Sequence, residues 1–170
     1  MSLPLIAVVG WHNTGKTGLI VRLVATLTRR GYRVAAIKHT AGHVNLDREG
    51  SDTWRFAQAG ADVVAVSGGQ SVAYIERVAQ EPSLEDLLTR LPQDLDLIIA
   101  EGFKREPTLK IEMLRADQDA PRIAPPDQLL ALVSDGELEG KAVPCFKPDD
   151  TEGLLGLLLE RGILSHREVD

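Results

Sequence analysis

Gly10-Trp11-His12-Asn13-Thr14-Gly15-Lys16-Thr17 decides the fold of this chain. The stretch matches G-x-x-x-x-G-K-[ST], a pattern that arises by chance in about one chain in a hundred of this length. Its context narrows it further. Leu3 to Val9 before it is an apolar run rich in Val and Ile, which reads as a strand buried on both faces. After it, Leu19, Ile20, Leu23, Val24 and Leu27 recur at helical spacing, and Gly31 stops the helix. Arg33 to Ile37 follows as a second strand. Strand, glycine-rich loop, helix and strand form one βαβ unit. In such a loop the backbone N–H groups of Gly10, His12, Asn13, Thr14 and Gly15 converge on phosphate oxygens, helped by the positive end of the helix. Lys16 reaches the β and γ phosphates, and the Thr17 hydroxyl joins a Mg²⁺ shell. A lysine at the opening of a helix is otherwise unfavourable, because the macrodipole repels a cation there.

Working outward, Lys38 to Gly50 is polar and irregular, and Ser51 to Gly60 reads as a short helix. Asp62 to Val66 and Ser71 to Ile75 are joined by Ser67-Gly68-Gly69-Gln70, the spacing of a hairpin. Ser83 opens a helix with Asp86 three residues on, a weak capping box. Leu95 to Ala100, Lys110 to Leu114, Leu129 to Val133 and Ala142 to Phe146 read as strands, and Asp150 to Gly162 as the last helix. Ala120 to Pro126 is proline-rich and reads as a surface loop. Strands alternating with helices imply an α/β fold of the P-loop type, with a mainly parallel sheet flanked by helices. The hairpin makes that sheet mixed. No repeat or domain boundary interrupts the chain, so residues 1–170 are expected to form one nucleotide-binding domain.

The chain has 170 residues and a net charge of −6, with no basic face of the kind that binds nucleic acid. The single cysteine, Cys145, excludes an intramolecular disulfide and reads as a core thiol. No basic and apolar leader and no membrane-length apolar run is visible, so a cytoplasmic protein is expected.

The loop needs an acid at the tip of a neighbouring strand to hold the metal. Asp96-Leu97-Ile98-Ile99-Ala100-Glu101-Gly102 carries acids at both ends. Glu101 is preferred, because ligands sit beyond the carboxyl ends of parallel strands. Gly102 would let the backbone approach the γ-phosphate. Asp47 and Asp52 read either as a loop touching the metal or as solvated acids, with Asp52 capping a helix. Arg55 reads either as a phosphate fork or as a surface cation. Lys38 and His39 end a strand on the ligand edge. Lys104 and Lys110 are expected to add positive charge near Glu101. Asp135, after a buried strand, would accept from guanine N1–H and N2–H₂ and reject adenine. Trp54 and Phe56 fit either a core or an interface.

Four segments together resemble the molybdopterin-guanine dinucleotide biosynthesis protein B (MobB) family. They are the phosphate loop; Lys38-His39 with Asp47, Gly50, Asp52, Arg55 and Ala59-Gly60-Ala61; Glu101-Gly102-Phe103-Lys104 with Lys110-Ile111-Glu112; and Val133-Ser134-Asp135. The family's histidine-rich stretch is thinner here, reading Thr40-Ala41-Gly42-His43, so a zinc site, which wants four ligands, is not expected. The resemblance implies a homodimer that binds GTP with Mg²⁺ and hydrolyses it slowly at most. It implies assistance to a partner nucleotidyltransferase that attaches GMP to molybdopterin. The competing reading is a small-molecule kinase, against which the chain shows no arginine-rich lid: Arg29, Arg30 and Arg33 lie at the far end of the first helix.

Overall fold

The computed structural model describes residues 3–40, 42, 44, 47–118, 120–137 and 143–167. His43 and Ala142 lie outside the described residues. Two compact units are resolved, residues 1–39 with 90–170, and residues 40–89.

The larger unit is built on a six-stranded sheet. Its strands are β1 (Leu5–Gly10), β2 (Val34–Lys38), β5 (Leu97–Glu101), β6 (Leu109–Leu114), β7 (Leu129–Ser134) and β8 (Cys145–Phe146). The order across the sheet is β2-β5-β1-β6-β7-β8, and every pairing is parallel. The loops after β1, β2 and β5 therefore leave from one edge. The central strands are almost wholly apolar because both of their faces are buried.

On one face lie α1 (Lys16–Arg29) and α4 (Thr151–Glu160). Leu19, Leu23 and Leu27 of α1 and Leu154 and Leu158 of α4 pack with Ile6, Val8, Leu97, Ile99, Ile111 and Val133. Each such side chain, fully buried, contributes about 1.5–3 kcal/mol. α1 ends in a Schellman arrangement: Gly31 N–H donates to Thr28 O and Tyr32 N–H to Leu27 O. The opposite face is smaller, with Ala7, Val9 and Ala124 buried and Ile123 and Leu129 against them. Cys145, expected in the core, is instead half-buried in the short edge strand, because β8 has a neighbour on one side only.

The unit 40–89 holds α2 (Asp52–Gln58), β3 (Val63–Gly68), β4 (Ser71–Glu76) and α3 (Leu84–Thr89). The hairpin is present, but β3 and β4 form their own two-stranded sheet. The antiparallel pairing is thus not part of the main sheet. Ser51, not Asp52, caps α2, its hydroxyl accepting from Trp54 N–H at 3.1 Å. Ser83 and Asp86 form the capping box, with the Asp86 carboxylate accepting from Ser83 N–H and Oγ. Among the described residues no helix is long and apolar enough to cross a membrane.

Candidate functional site

The phosphate loop leaves the carboxyl end of β1 and closes directly into α1. Gly10 has φ +155°, and a Cβ there would stand 2.6 Å from Met113 O and 2.8 Å from Thr14 Oγ1, so only glycine fits. Gly15 is the N-cap residue in the left-handed region, φ 89°, and gives α1 no side-chain cap. The first turn of α1 also carries no acid. A helix start without a side-chain cap or an acid leaves its N–H groups and positive dipole end to an anion. Asn13 adopts φ 60°, one of the two described non-glycine residues at positive φ; the other is Phe103, just after Gly102. His12 and Asn13 are exposed, while Thr14 is buried and donates its hydroxyl to Trp11 O at 2.9 Å.

Lys16 Nζ donates to Trp11 O at 2.7 Å, so the ammonium folds back over the loop. Partial burial is the largest cause holding it below the ordinary lysine range; Lys104 and Lys38 push the same way, and Glu101 opposes them. An arriving phosphate would relieve that repulsion.

Thr17 Oγ1 donates to Glu101 Oε2 at 2.8 Å. Lys38 Nζ lies 3.3 Å from Glu101 Oε1. The register explains the meeting, because Glu101 of β5 stands between Val8 of β1 and Lys38 of β2. Backbone bonds pin it: His39 N–H donates to Glu101 O at 3.0 Å, and Gly102 N–H to Val8 O at 3.1 Å. A hydroxyl and a carboxylate joined beside a phosphate cradle are the donor set of a hard divalent cation that also takes phosphate oxygens. Among the described residues no group of three or more His, Cys, Asp or Glu is gathered to hold a metal ion. A cation here would therefore depend on the nucleotide for the rest of its shell.

The remaining expected residues are distributed differently. Asp96 lies at the start of β5, at the opposite end from Glu101, and accepts from Arg33 N–H and from Arg167. Lys104 Nζ stands 5.2 Å above the Trp11 ring, beside the loop. Lys110 does not join it. The side chain is fully buried and donates to Glu106 O, Thr108 O and Gln128 Oε1 at 2.6, 3.0 and 2.5 Å. It sits near the amino end of β6, paired with Ala7, away from the loop edge. Asp135 is exposed beyond β7; Oδ1 accepts from Ala116 N–H at 2.9 Å, and Lys147 Nζ donates to Asp135 O and Gly136 O at 3.3 Å.

In the other unit, Asp47 accepts from Ser51 Oγ and Arg48 N–H, both at 2.8 Å. Hydrogen bonds from Thr53, then Ser51, hold its carboxyl below the usual range. That describes an anchor for the start of α2. Trp54 is half-buried there and Phe56 is exposed.

Two residues of this region escape the sequence reading, Trp11 as a hub of contacts and Glu112 as a fully buried carboxylate. The signal for Glu112 lies in Leu109-Lys110-Ile111-Glu112-Met113-Leu114. Two charges spaced by two in a central strand share one buried face.

The family model described as "Molybdopterin guanine dinucleotide synthesis protein B", MobB, matches residues 5–135. The chain is 33% identical over 163 residues to the molybdopterin-guanine dinucleotide biosynthesis adapter protein of Escherichia coli, covering 93% of each. It is 33% identical over 138 residues to the protein of that name from Haemophilus influenzae, covering 81% of this chain and 78% of that one. The crystal structure of Bacillus subtilis MobB superposes with a TM-score of 0.75 at 27% identity, covering 97% of this chain and all of the other.

Proposed function

Because this chain belongs to the molybdopterin guanine dinucleotide synthesis protein B (MobB) family, we propose that it is an adapter in the biosynthesis of the molybdenum cofactor that binds GTP with Mg²⁺. In this reading it works in the cytoplasm, hydrolyses GTP slowly at most, and assists a partner nucleotidyltransferase that handles molybdopterin and carries the transfer chemistry. One observation carries it: the Thr17 hydroxyl and the Glu101 carboxylate meet at 2.8 Å beside a loop whose lysine folds back onto Trp11 O at 2.7 Å.

The geometry supports the following roles. N–H groups of Gly10, His12, Asn13, Thr14 and Gly15 cradle the phosphates, and Lys16 leaves Trp11 O to reach the β and γ oxygens. Thr17 and Glu101 would hold Mg²⁺, which when bound neutralises phosphate charge. Gly102 lies beside that carboxylate and would line the γ-phosphate. Asp47 is left out of the proposed shell, since its Oδ1 already accepts from both Ser51 and Arg48 at the start of α2. Asp135 would read guanine through Oδ2, its Oδ1 being taken by Ala116 N–H.

A homodimer is also proposed. The hairpin exposes Val63, Val66, Val72 and Tyr74 by 54, 53, 57 and 72%. A two-stranded sheet with apolar side chains in water is marginal alone, and a second copy would cover it.

Calorimetry with GTP and ATP in the presence of Mg²⁺ tests the site. GTP should bind more tightly than ATP, and Lys16→Ala should abolish binding. Equal affinity would remove the guanine claim, and transfer of phosphoryl to a small acceptor would make the chain a kinase.

A further inference from the structure

We propose that Trp11 and Glu112 are positioning residues that hold the phosphate loop in its binding shape through the segment 121–123. The proposal rests on the reading of that loop as a phosphate site. The loop pattern places no demand on its second residue. Here that residue is tryptophan, and it makes three kinds of contact. Its carbonyl receives both Lys16 Nζ and Thr14 Oγ1, at 2.7 and 2.9 Å. Its ring lies under Lys104 Nζ at 5.2 Å. Its indole N–H donates to Pro121 O at 2.9 Å, 110 residues further along the chain.

The segment that carries Pro121 is anchored two residues on, where Ile123 meets Glu112. In β6 Glu112 pairs with Val9 of β1, the residue before Gly10. Its carboxylate is fully buried: Oε1 accepts from Ile123 N–H at 2.6 Å, and Oε2 has no hydrogen-bond partner, with Arg122 Nη1 3.6 Å away. Burying a carboxylate is costly, and the neighbours Ala7, Val9 and Ala124 form an apolar patch in which an aliphatic side chain would pack well. What the carboxylate adds is a directed acceptor. It fixes the backbone at Ile123, and so the height and direction of the Pro121 carbonyl that receives Trp11. The chain of contacts runs from Glu112 to Ile123, from Pro121 to Trp11, and from Trp11 to the phosphate-binding Lys16. Lys110, on the same face, is satisfied by three acceptors of its own and stands outside this chain.

The chain has two tryptophans, so in a Trp54→Phe background the emission of Trp11 reports the clamp without any nucleotide. Trp11→Phe keeps the ring and the backbone carbonyl and removes only the indole donor. Affinity for Mg·GTP should fall about fivefold, the worth of one hydrogen bond. Glu112→Ala, which strands the Ile123 N–H, should cause a similar loss and shift the Trp11 emission to the red. Glu112→Gln, which keeps an acceptor, should restore most of both. The losses in Trp11→Phe/Glu112→Ala should not add, because both substitutions cut one chain. Additive losses, or a folded Glu112→Ala protein with unchanged emission and affinity, would overturn the proposal. Should Glu112→Ala fail to fold, amide exchange decides: Trp11→Phe must speed exchange in residues 120–124, and unchanged protection rejects the clamp. If the wild-type chain binds no nucleotide, the phosphate reading fails, while the emission of Trp11 in Glu112→Ala still tests the clamp.

Discussion

Lys16 must be protonated to bind phosphate, yet the folded chain holds its pKa below the ordinary value through burial, Lys104 and Lys38. A lysine with a lowered folded pKa loses its proton earlier as pH rises. Affinity for Mg·GTP should therefore be full near neutrality and decline at a pH below the ordinary lysine range. Calorimetry across an alkaline series checks this, and Lys16→Arg, always charged, should bind more weakly but without the decline. Glu101→Gln removes the charge that Thr17 and Lys38 face. It should weaken binding about tenfold or more in Mg²⁺ and far less in EDTA, as a direct or water-bridged metal contact requires. That Thr17 and Glu101 meet beside Lys16 was legible, the loop residues from a linear spacing and Glu101 from its place at the carboxyl end of an apolar strand. Trp11 and Glu112 were not, since the partners that define them, Pro121 and Ile123, are brought close only by the folded sheet.

At the scale of elements, β6 shows what strand position does to a charge. Lys110 is expected to add charge near Glu101, but a central parallel strand buries both faces, and its ammonium ends on carbonyl and amide oxygens instead. Lys110→Met fills the space but strands those acceptors, and should cost about 1.5–3 kcal/mol of stability by urea unfolding. The hairpin β3–β4 was legible from its turn and the two β-rich runs that flank it, since both are local. That it forms a sheet of its own was not, because sheet membership depends on pairings far along the chain. Tyr74 is the most exposed of its large apolar residues. Tyr74→Asp should shift the chain from dimer to monomer in sedimentation while leaving nucleotide affinity intact. A wild-type chain that sediments as a monomer would remove the dimer.

At the scale of the whole molecule, the C-terminal residues return to the first crossover. Arg167 donates to Gly31 O and to both oxygens of Asp96, and lies 5.6 Å from the Tyr32 ring. Burial alone would raise the Asp96 pKa, but Arg33 N–H and Arg167 outweigh it and hold the carboxyl below the usual range. A depressed folded pKa means stability that is present above the ordinary aspartate value and lost as pH falls through the folded one. Asp96→Asn should lower stability at neutral pH and flatten the acid limb of the unfolding profile. The parallel α/β class was legible because buried strands and helical stretches alternate along the chain. The partition at residues 39 and 90 was not, since it is set by contacts that only the folded chain makes. The strand order has a consequence for synthesis. β1 is made first, but its two neighbours are β5 and β6, from residues 97–101 and 109–114. At about 5–20 residues per second, the phosphate loop waits about 5–20 seconds on the ribosome before either flank exists. Nascent chains stalled before residue 97 should retain no nucleotide, so the proposed ligand would be taken up only after both flanking strands have been made.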